Sequence, residues 1–232
     1  FILKIRALLP SRIGIIIPAM LLSQLTSALP TILERTPGDP DIISVEHDSR
    51  QVKPGTLFVA RRGGAVDGHH FIAEAISKGA AAVVVEKEIG EIKGNEKARA
   101  FPSFPSFPVV QVPDSAEALA WLCATFHKFP ARRMVMIGVT GTDGKTTACS
   151  LIHSILKAAG FKVGLITTVS AVIGDQLFDT GLHTTTPDAP EVQHYLAQMV
   201  EAGMTHCVLE TTSHGLVQHR VTACEFDVAV VT

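Results

Sequence analysis

Met134-Val-Met-Ile-Gly-Val-Thr-Gly-Thr-Asp-Gly-Lys-Thr-Thr147 is the stretch on which the reading of this chain turns. It opens as an unbroken apolar run, Met134 to Ile137, which suits a strand buried on both faces of a parallel sheet. Gly141 and Gly144 then bracket Thr142-Asp143, and Lys145, Thr146 and Thr147 follow. A helical pattern begins at once. Leu151, Ile152, Ile155, Leu156 and Ala159 are expected on one face, and Gly160 stands where a glycine closes a helix. Strand, glycine turn, Lys-Thr and helix, in that order, make the architecture of a phosphate-binding loop. Glycines let backbone N–H groups approach phosphate oxygens, and the helix N-terminus adds positive potential. In such a loop Lys145 reaches the β- and γ-phosphates and the Thr146 hydroxyl binds Mg²⁺. The general pattern G-x-x-x-x-G-K-[ST] asks for glycine where Val139 stands, and Gly138 and Gly141 flank that position instead. The plainer alternative is a glycine turn before an ordinary helix with an exposed lysine.

Around this stretch, composition sets the bounds. The 232 residues are 47% hydrophobic and 18% charged, enough to bury one or two real cores. A net charge of −2 gives no electrostatic reason to expect nucleic acid or an anionic membrane surface as a partner. Cys123, Cys149, Cys207 and Cys224 lack C-x-x-C spacing and read as free thiols of a reducing cytoplasm. The ten histidines show no metal-ligand spacing.

Upstream, β-α-β alternation predicts a small α/β domain. A helix is expected from Leu21 to Leu29, with strands at Asp41–Val45, Thr56–Ala60 and Ala81–Val85. Between the last two, a helix buries Phe71, Ile72, Ala75 and Ile76. Residues 87–107 turn charged and then Pro/Phe-rich, which reads as a surface loop at a domain boundary, so the first domain is placed at 20–107 and the second at 108–232. Residues 1–19 pair basic residues with an apolar run too short to span a bilayer. They read as upstream sequence ahead of a start at Met20, with a signal peptide as the alternative. In the second domain, Val109–Val112 is expected as a strand, followed by a helix begun by Asp114 and Glu117. Further strands are expected at Lys162–Thr168, Cys207–Glu210 and Asp227–Thr232, and a helix opens at Thr184–Asp188. Glu210 closes its strand at the C-terminal edge, where open α/β sheets bind ligands; a carboxylate there can hold Mg²⁺, or can be a sheet-edge ion pair. Ending on an apolar strand, the second domain reads as truncated.

Three segments resemble the Mur ligase superfamily over about Leu21 to Thr232. Gly138-Val-Thr-Gly-Thr-Asp-Gly-Lys-Thr-Thr147 is similar to its T-G-T-N-G-K-T loop, with Asp143 in the place of the usual Asn. Glu210-Thr-Thr-Ser-His-Gly-Leu-Val-Gln-His-Arg220 resembles the E-x-S-S-H-G-L-x-x-x-R segment of the MurE-type tripeptide synthetases. Asp48-Ser-Arg-Gln-Val-Lys-Pro-Gly-Thr-Leu-Phe-Val-Ala60 resembles their uridine-nucleotide-binding domain. The resemblance implies a small α/β uridine-nucleotide-binding domain followed by a phosphate-loop, parallel-sheet ATPase domain. It implies ATP on Gly141, Thr142, Asp143, Gly144, Lys145, Thr146 and Thr147, and Mg²⁺ on Thr146 and Glu210, with Lys145 and Glu210 catalytic. A UDP-N-acetylmuramoyl dipeptide is expected on Ser49, Gly64, Ala65, Val66, Thr185, Thr186, Thr212, Gln218 and Arg220. The implied reaction activates the dipeptide carboxylate as an acyl phosphate, which the amine of diaminopimelate or lysine attacks. A cytoplasmic monomer, bound to neither membrane nor nucleic acid, is expected. The family's modified lysine and C-terminal domain fall beyond Thr232, so the resemblance implies that these residues alone are inactive. A folylpolyglutamate-synthetase-like ligase and a non-catalytic nucleotide-binding module are the alternatives. Ser213-His214 is set aside as a hydrolase pair, because adjacent side chains rarely face each other.

Overall fold

The computed structural model describes residues 18–63, 66–88, 107–179 and 186–232. The expected leader lies almost wholly outside them, as do Gly64, Ala65, Thr185 and most of the Pro/Phe-rich segment. The chain opens with β1 (Met20–Leu21) and α1 (Leu22–Thr26), then β2 (Glu34–Arg35), β3 (Asp41–Ile42), β4 (Ser44–Glu46) and β5 (Thr56–Val59). There follow α2 (Ile72–Ser77), β6 (Ala82–Val85), β7 (Val109–Gln111) and α3 (Ser115–Phe126). β1 pairs with β3 in a short antiparallel strip, and the five remaining strands form a sheet in the order β2-β7-β6-β5-β4. β4 to β7 run parallel, with β2 antiparallel at the edge.

The apolar runs of β5 and β6 are buried along their whole length, as strands covered on both faces require. Their period-2 alternation sorts them into two layers. Leu57, Val59, Ala82 and Val84 face Leu22 of α1 and Leu119, Leu122 and Phe126 of α3. Phe58, Val83 and Val85 face Ile72, Ala75 and Ile76 of α2. One expectation changes here. β7 and α3 were assigned to the second domain, yet β7 pairs with β6 in the first sheet and α3 covers that sheet. The boundary therefore falls after α3, not at residue 107. Asp114 starts α3 by accepting from the N–H groups of Ala116 and Glu117, both at 2.8 Å. The helix ends in two left-handed non-glycine residues, Lys128 (φ 59°) and Phe129 (φ 51°), and the chain turns into the second sheet.

That sheet holds β8 (Val135–Thr140), β9 (Val163–Ile166), β10 (Ser170–Ile173), β11 (Gln176–Asp179), β12 (His206–Glu210) and β13 (Val228–Val231), in the order β11-β10-β9-β12-β8-β13. β9, β12, β8 and β13 are parallel, and β10 and β11 add an antiparallel hairpin that the sequence marked only by the turn at Asp175. α4 (Lys145–Ala158) covers one face and α5 (Ala189–Glu201) the other; a short α6 (Ser213–Val217) follows β12. α4 packs through Cys149, Ala148, Ile152 and Leu156. Leu151 and Ile155, expected on that face, are 58% and 66% exposed. Each stands one residue, about 100°, round the helix from its half-buried neighbour, Ile152 or Leu156, so the inward stripe is narrower than the apolar pattern. Gly138 lies within β8, where a Cβ would sit 2.9 Å from the Phe226 ring, so this glycine serves close packing rather than the loop.

The two halves meet where α3 crosses α5. Ala120, Ala124, Ala189 and Ala223 make a small-residue seam flanked by Trp121 and Phe129. At its rim the rings of His127 and His194 lie 5.8 Å apart, edge to face. Burial, and after it His194, pushes the pKa of His127 down to about 4 from 6.5. The unfolded chain then takes up this proton more readily than the folded one. Stability is full above about pH 6.5 and falls as the pH drops toward 4, by at most about 3 kcal/mol from this group. Urea midpoints at pH 7.5 and 4.5 measure the drop, and His127→Gln should shrink it. An equal drop in the variant would remove His127 as a cause.

Candidate active site

β8 delivers the chain to the loop with Val139 fully buried, so the turn starts at Gly141. Gly141 has φ +141° and Gly144 has φ +76°. A Cβ on Gly141 would collide with the backbone carbonyl of Thr232, at the end of neighbouring β13, so glycine is required there on both counts. Gly144 is the N-cap residue of α4 and its carbonyl accepts from the Ala148 N–H at 2.8 Å. The Lys145 ammonium curls back over the loop and donates to the carbonyls of Gly141 and Thr142, both at 3.0 Å. Thr142, Asp143 and Thr147 are exposed.

β12 lies between β8 and β9, and its parallel register sets Glu210 opposite Val139. The carboxylate thus arrives beside the start of α4, and the Thr146 hydroxyl donates to Glu210 Oε2 at 2.9 Å. The Thr168 N–H points at the same oxygen at 3.4 Å. Glu210 is only 3% exposed, and a carboxylate that sheltered needs such donors. Thr146 and Glu210, 64 positions apart in sequence, therefore meet next to Lys145 at the C-terminal edge of the parallel strands.

A second web grows from the same strand. The Thr186 hydroxyl donates to the Glu210 carbonyl at 3.0 Å and accepts from the Thr212 N–H at 3.0 Å. Thr212 caps α6, its hydroxyl accepting from the Gly215 N–H at 3.0 Å. Arg220 donates through Nε to Gln218 Oε1 at 2.9 Å and through a terminal nitrogen to the Thr186 carbonyl. Thr186, Thr212, Gln218 and Arg220, the described residues of the expected substrate set in the second sheet, are thus brought together. Thr186 itself is fully buried, its hydroxyl engaged inside the protein.

The first-domain candidates sit apart from that web. Ser49 is buried in a 3-10 turn after Asp48, and its carbonyl accepts from Lys78 Nζ at 3.0 Å. Val66 is 54% exposed in the turn between Arg62 and Asp67. Asp67 and His69 pin that turn: His69 Nδ1 meets Asp67 Oδ1 at 2.6 Å, and His69 Nε2 accepts from the Glu86 N–H at 3.0 Å. A cavity of about 290 Å³ opens between the halves, walled by Arg61, Arg62 and Glu86 on one side and Val217, Gln218 and His219 on the other.

Sequence reasoning missed several residues here. Asp188 is paired with Arg220 at 3.0 Å and with Arg61 of the first domain at 3.4 Å, and it faces His47 at 3.6 Å. Burial pushes the pKa of His47 down, partly offset by the charge of Asp188. Asp188 was read only as part of a helix opening. Nothing local in the sequence pairs it with Arg61, 127 positions away.

The family model of the Mur ligase middle domain matches residues 139–232, and that of the Mur ligase family catalytic domain matches residues 41–127. The UDP-N-acetylmuramoyl-L-alanyl-D-glutamate--2,6-diaminopimelate ligase of Geobacillus thermodenitrificans is 41% identical over 213 residues, which cover 92% of this chain and 40% of that protein. The UDP-N-acetylmuramyl-tripeptide synthetase of a Roseiflexus species is 43% identical over 198 residues, covering 84% of this chain and 37% of that protein. A solved UDP-N-acetylmuramoyl-L-alanyl-D-glutamate--2,6-diaminopimelate ligase superposes with a TM-score of 0.71 at 26% identity, over 91% of this chain and 40% of the other. MurF from Acinetobacter baumannii shares the fold, with a TM-score of 0.59 at 19% identity over 94% of this chain and 41% of the other. The chain thus spans about 40% of the length of the relatives it matches.

Proposed function

We propose, because this chain belongs to the Mur ligase family, that it is the uridine-nucleotide-binding and ATP-binding part of a peptidoglycan-precursor ligase. The family is ATP-dependent. The reaction we assign to the whole enzyme joins an amino acid, diaminopimelate in the first relative named above, to UDP-N-acetylmuramoyl-L-alanyl-D-glutamate. The observation that carries this reading is the meeting of Lys145, Thr146 and Glu210 at one strand edge, with the Thr186–Thr212–Arg220 web beginning at the Glu210 carbonyl.

The residues fit a Mg²⁺-bound triphosphate. Gly141 and Gly144 keep side chains off the loop, so N–H groups can meet phosphate oxygens. Lys145 supplies a mobile point charge, now resting on two loop carbonyls. Thr146 and Glu210 are hard oxygen donors of the type a divalent ion takes while keeping waters and phosphate oxygens as its other ligands. Bound there, Mg²⁺ would neutralise charge on the transferring phosphoryl group. Asp143, in the place of the family's usual Asn, sets a carboxylate at the exposed rim of the loop. On the other side, Arg220 offers a planar fork to a carboxylate or diphosphate, and Gln218 and the Thr212 hydroxyl add neutral partners. No helix among the described residues is long and apolar enough to cross a membrane. We infer that the whole enzyme works in the cytoplasm, where ATP is supplied.

Titration calorimetry on the chain tests this. Saturable binding is expected for a non-hydrolysable ATP analogue with Mg²⁺, and separately for the UDP-muramoyl dipeptide. Binding of neither would overturn the reading, and binding of the ATP analogue alone would leave only a nucleotide-binding module.

A further inference from the structure

We propose that Asp188 is the positioning residue of Arg220, and that through Arg61 it ties the first domain to the substrate side of the second. The proposal rests on the preceding reading only for the identity of the ligand. Asp188 stands at the N-terminus of α5, and one of its oxygens, Oδ1, takes both Arg220 Nε at 3.0 Å and Arg61 at 3.4 Å. The other, Oδ2, faces His47 Nε2 at 3.6 Å. Arg61 comes two residues after the end of β5, and His47 directly after β4 and two residues before Ser49. The segment leading to Val66 therefore starts beside Arg61, which Asp188 holds, and the Ser49 turn follows the histidine that Asp188 faces.

The geometry makes Asp188 more than a surface partner. The Arg61 and Arg220 side chains are 16% and 17% exposed and that of Asp188 is 28% exposed, so the pairs are sheltered from most of the screening that weakens surface bridges. A carboxylate has about four lone-pair directions and can serve two guanidinium groups at once. Arg220 is held at two of its nitrogens: Nε lies between Gln218 Oε1 and the Asp188 carboxylate, and a terminal nitrogen donates to the Thr186 carbonyl, which leads back to Glu210. An arginine used as a planar fork must be held in its plane before the ligand arrives, and loss of that preorganisation is felt as loss of affinity.

The test compares Asp188→Ala, Asp188→Asn, Asp188→Glu and Arg61→Gln in the full chain. Hydrogen exchange is followed in the peptides spanning 60–71 and 212–221, and calorimetry is run with the UDP-muramoyl dipeptide and with the Mg²⁺-bound ATP analogue. Asp188→Ala and Arg61→Gln are expected to speed exchange about tenfold or more in the first-domain peptide, although Asp188 lies in the other domain. Affinity for the UDP-muramoyl dipeptide should fall at least tenfold, while that for the ATP analogue stays within twofold. Asp188→Glu should recover part of the loss, and Asp188→Asn serves if the alanine variant fails to fold. Exchange and substrate affinity both within twofold of the parent in Arg61→Gln and Asp188→Asn would overturn the proposal. Should the parent bind no UDP-muramoyl dipeptide, the substrate reading falls and the exchange arm alone decides the tie.

Discussion

Replacing Lys145 by alanine weakens binding of the Mg²⁺-bound ATP analogue about ten- to hundredfold. The ammonium already sits over the loop, bonded at 3.0 Å to the carbonyls of Gly141 and Thr142. Exchanging those neutral acceptors for phosphate oxygens makes a charge-assisted contact worth about 1.5–3 kcal/mol, which is the expected loss. In the whole enzyme turnover should fall further, because the contact strengthens as charge develops in transfer. A lysine that merely decorates the first turn of a helix gives a different result: unchanged affinity and a stability change under about 0.5 kcal/mol. Calorimetry of parent and variant separates the two, and unchanged affinity would remove the phosphate loop from the argument.

The second large effect is structural. Phe58 is fully buried in the middle of β5, against Ile72, Ala75 and Ile76 of α2. Phe58→Ala removes the largest fully buried side chain of that layer and leaves a space that two strands and a short helix refill only in part, at about 3–5 kcal/mol. Arg61 follows two residues after β5, so the loss also loosens the support of that residue. The urea midpoint of the first domain should drop with its slope unchanged, and a loss below about 1 kcal/mol would mean that the layer collapses around the gap.

How much of this was written in the sequence depended on how local each feature is. The strand, glycine turn and helix around Lys145 could be read because they are contiguous, and the structure places them in that order. Glu210 could be read because a strand's end is a position in sequence as well as in space. The inward face of α4 was read too wide, since Leu151 and Ile155 are as apolar as the residues beside them and only packing chooses among neighbours 100° apart. β7 was placed in the wrong sheet for a related reason: the Pro/Phe-rich run before it looks like a boundary, but pairing with β6 is a long-range choice that composition does not encode. α6 escaped notice because five residues with a central glycine carry almost no helical signal. The Asp188 cluster joins four residues from distant parts of the chain, so no spacing rule reaches it.

The four cysteines are all buried, and burial holds Cys149 and Cys224 protonated up to about 12, with Cys123 and Cys207 also pushed up. The thiolate is the reactive form, so the folded chain should resist alkylation and oxidation. Each thiol also sits in a particular layer: Cys123 on the inner face of α3 in the first domain, Cys149 on the inner face of α4, and Cys207 and Cys224 on the α5 side of the second sheet. A slow pulse of alkylating reagent, read by mass at each position, therefore turns these side chains into separate clocks. Three layers of one unlabelled protein report how often each of them opens, without a single substitution.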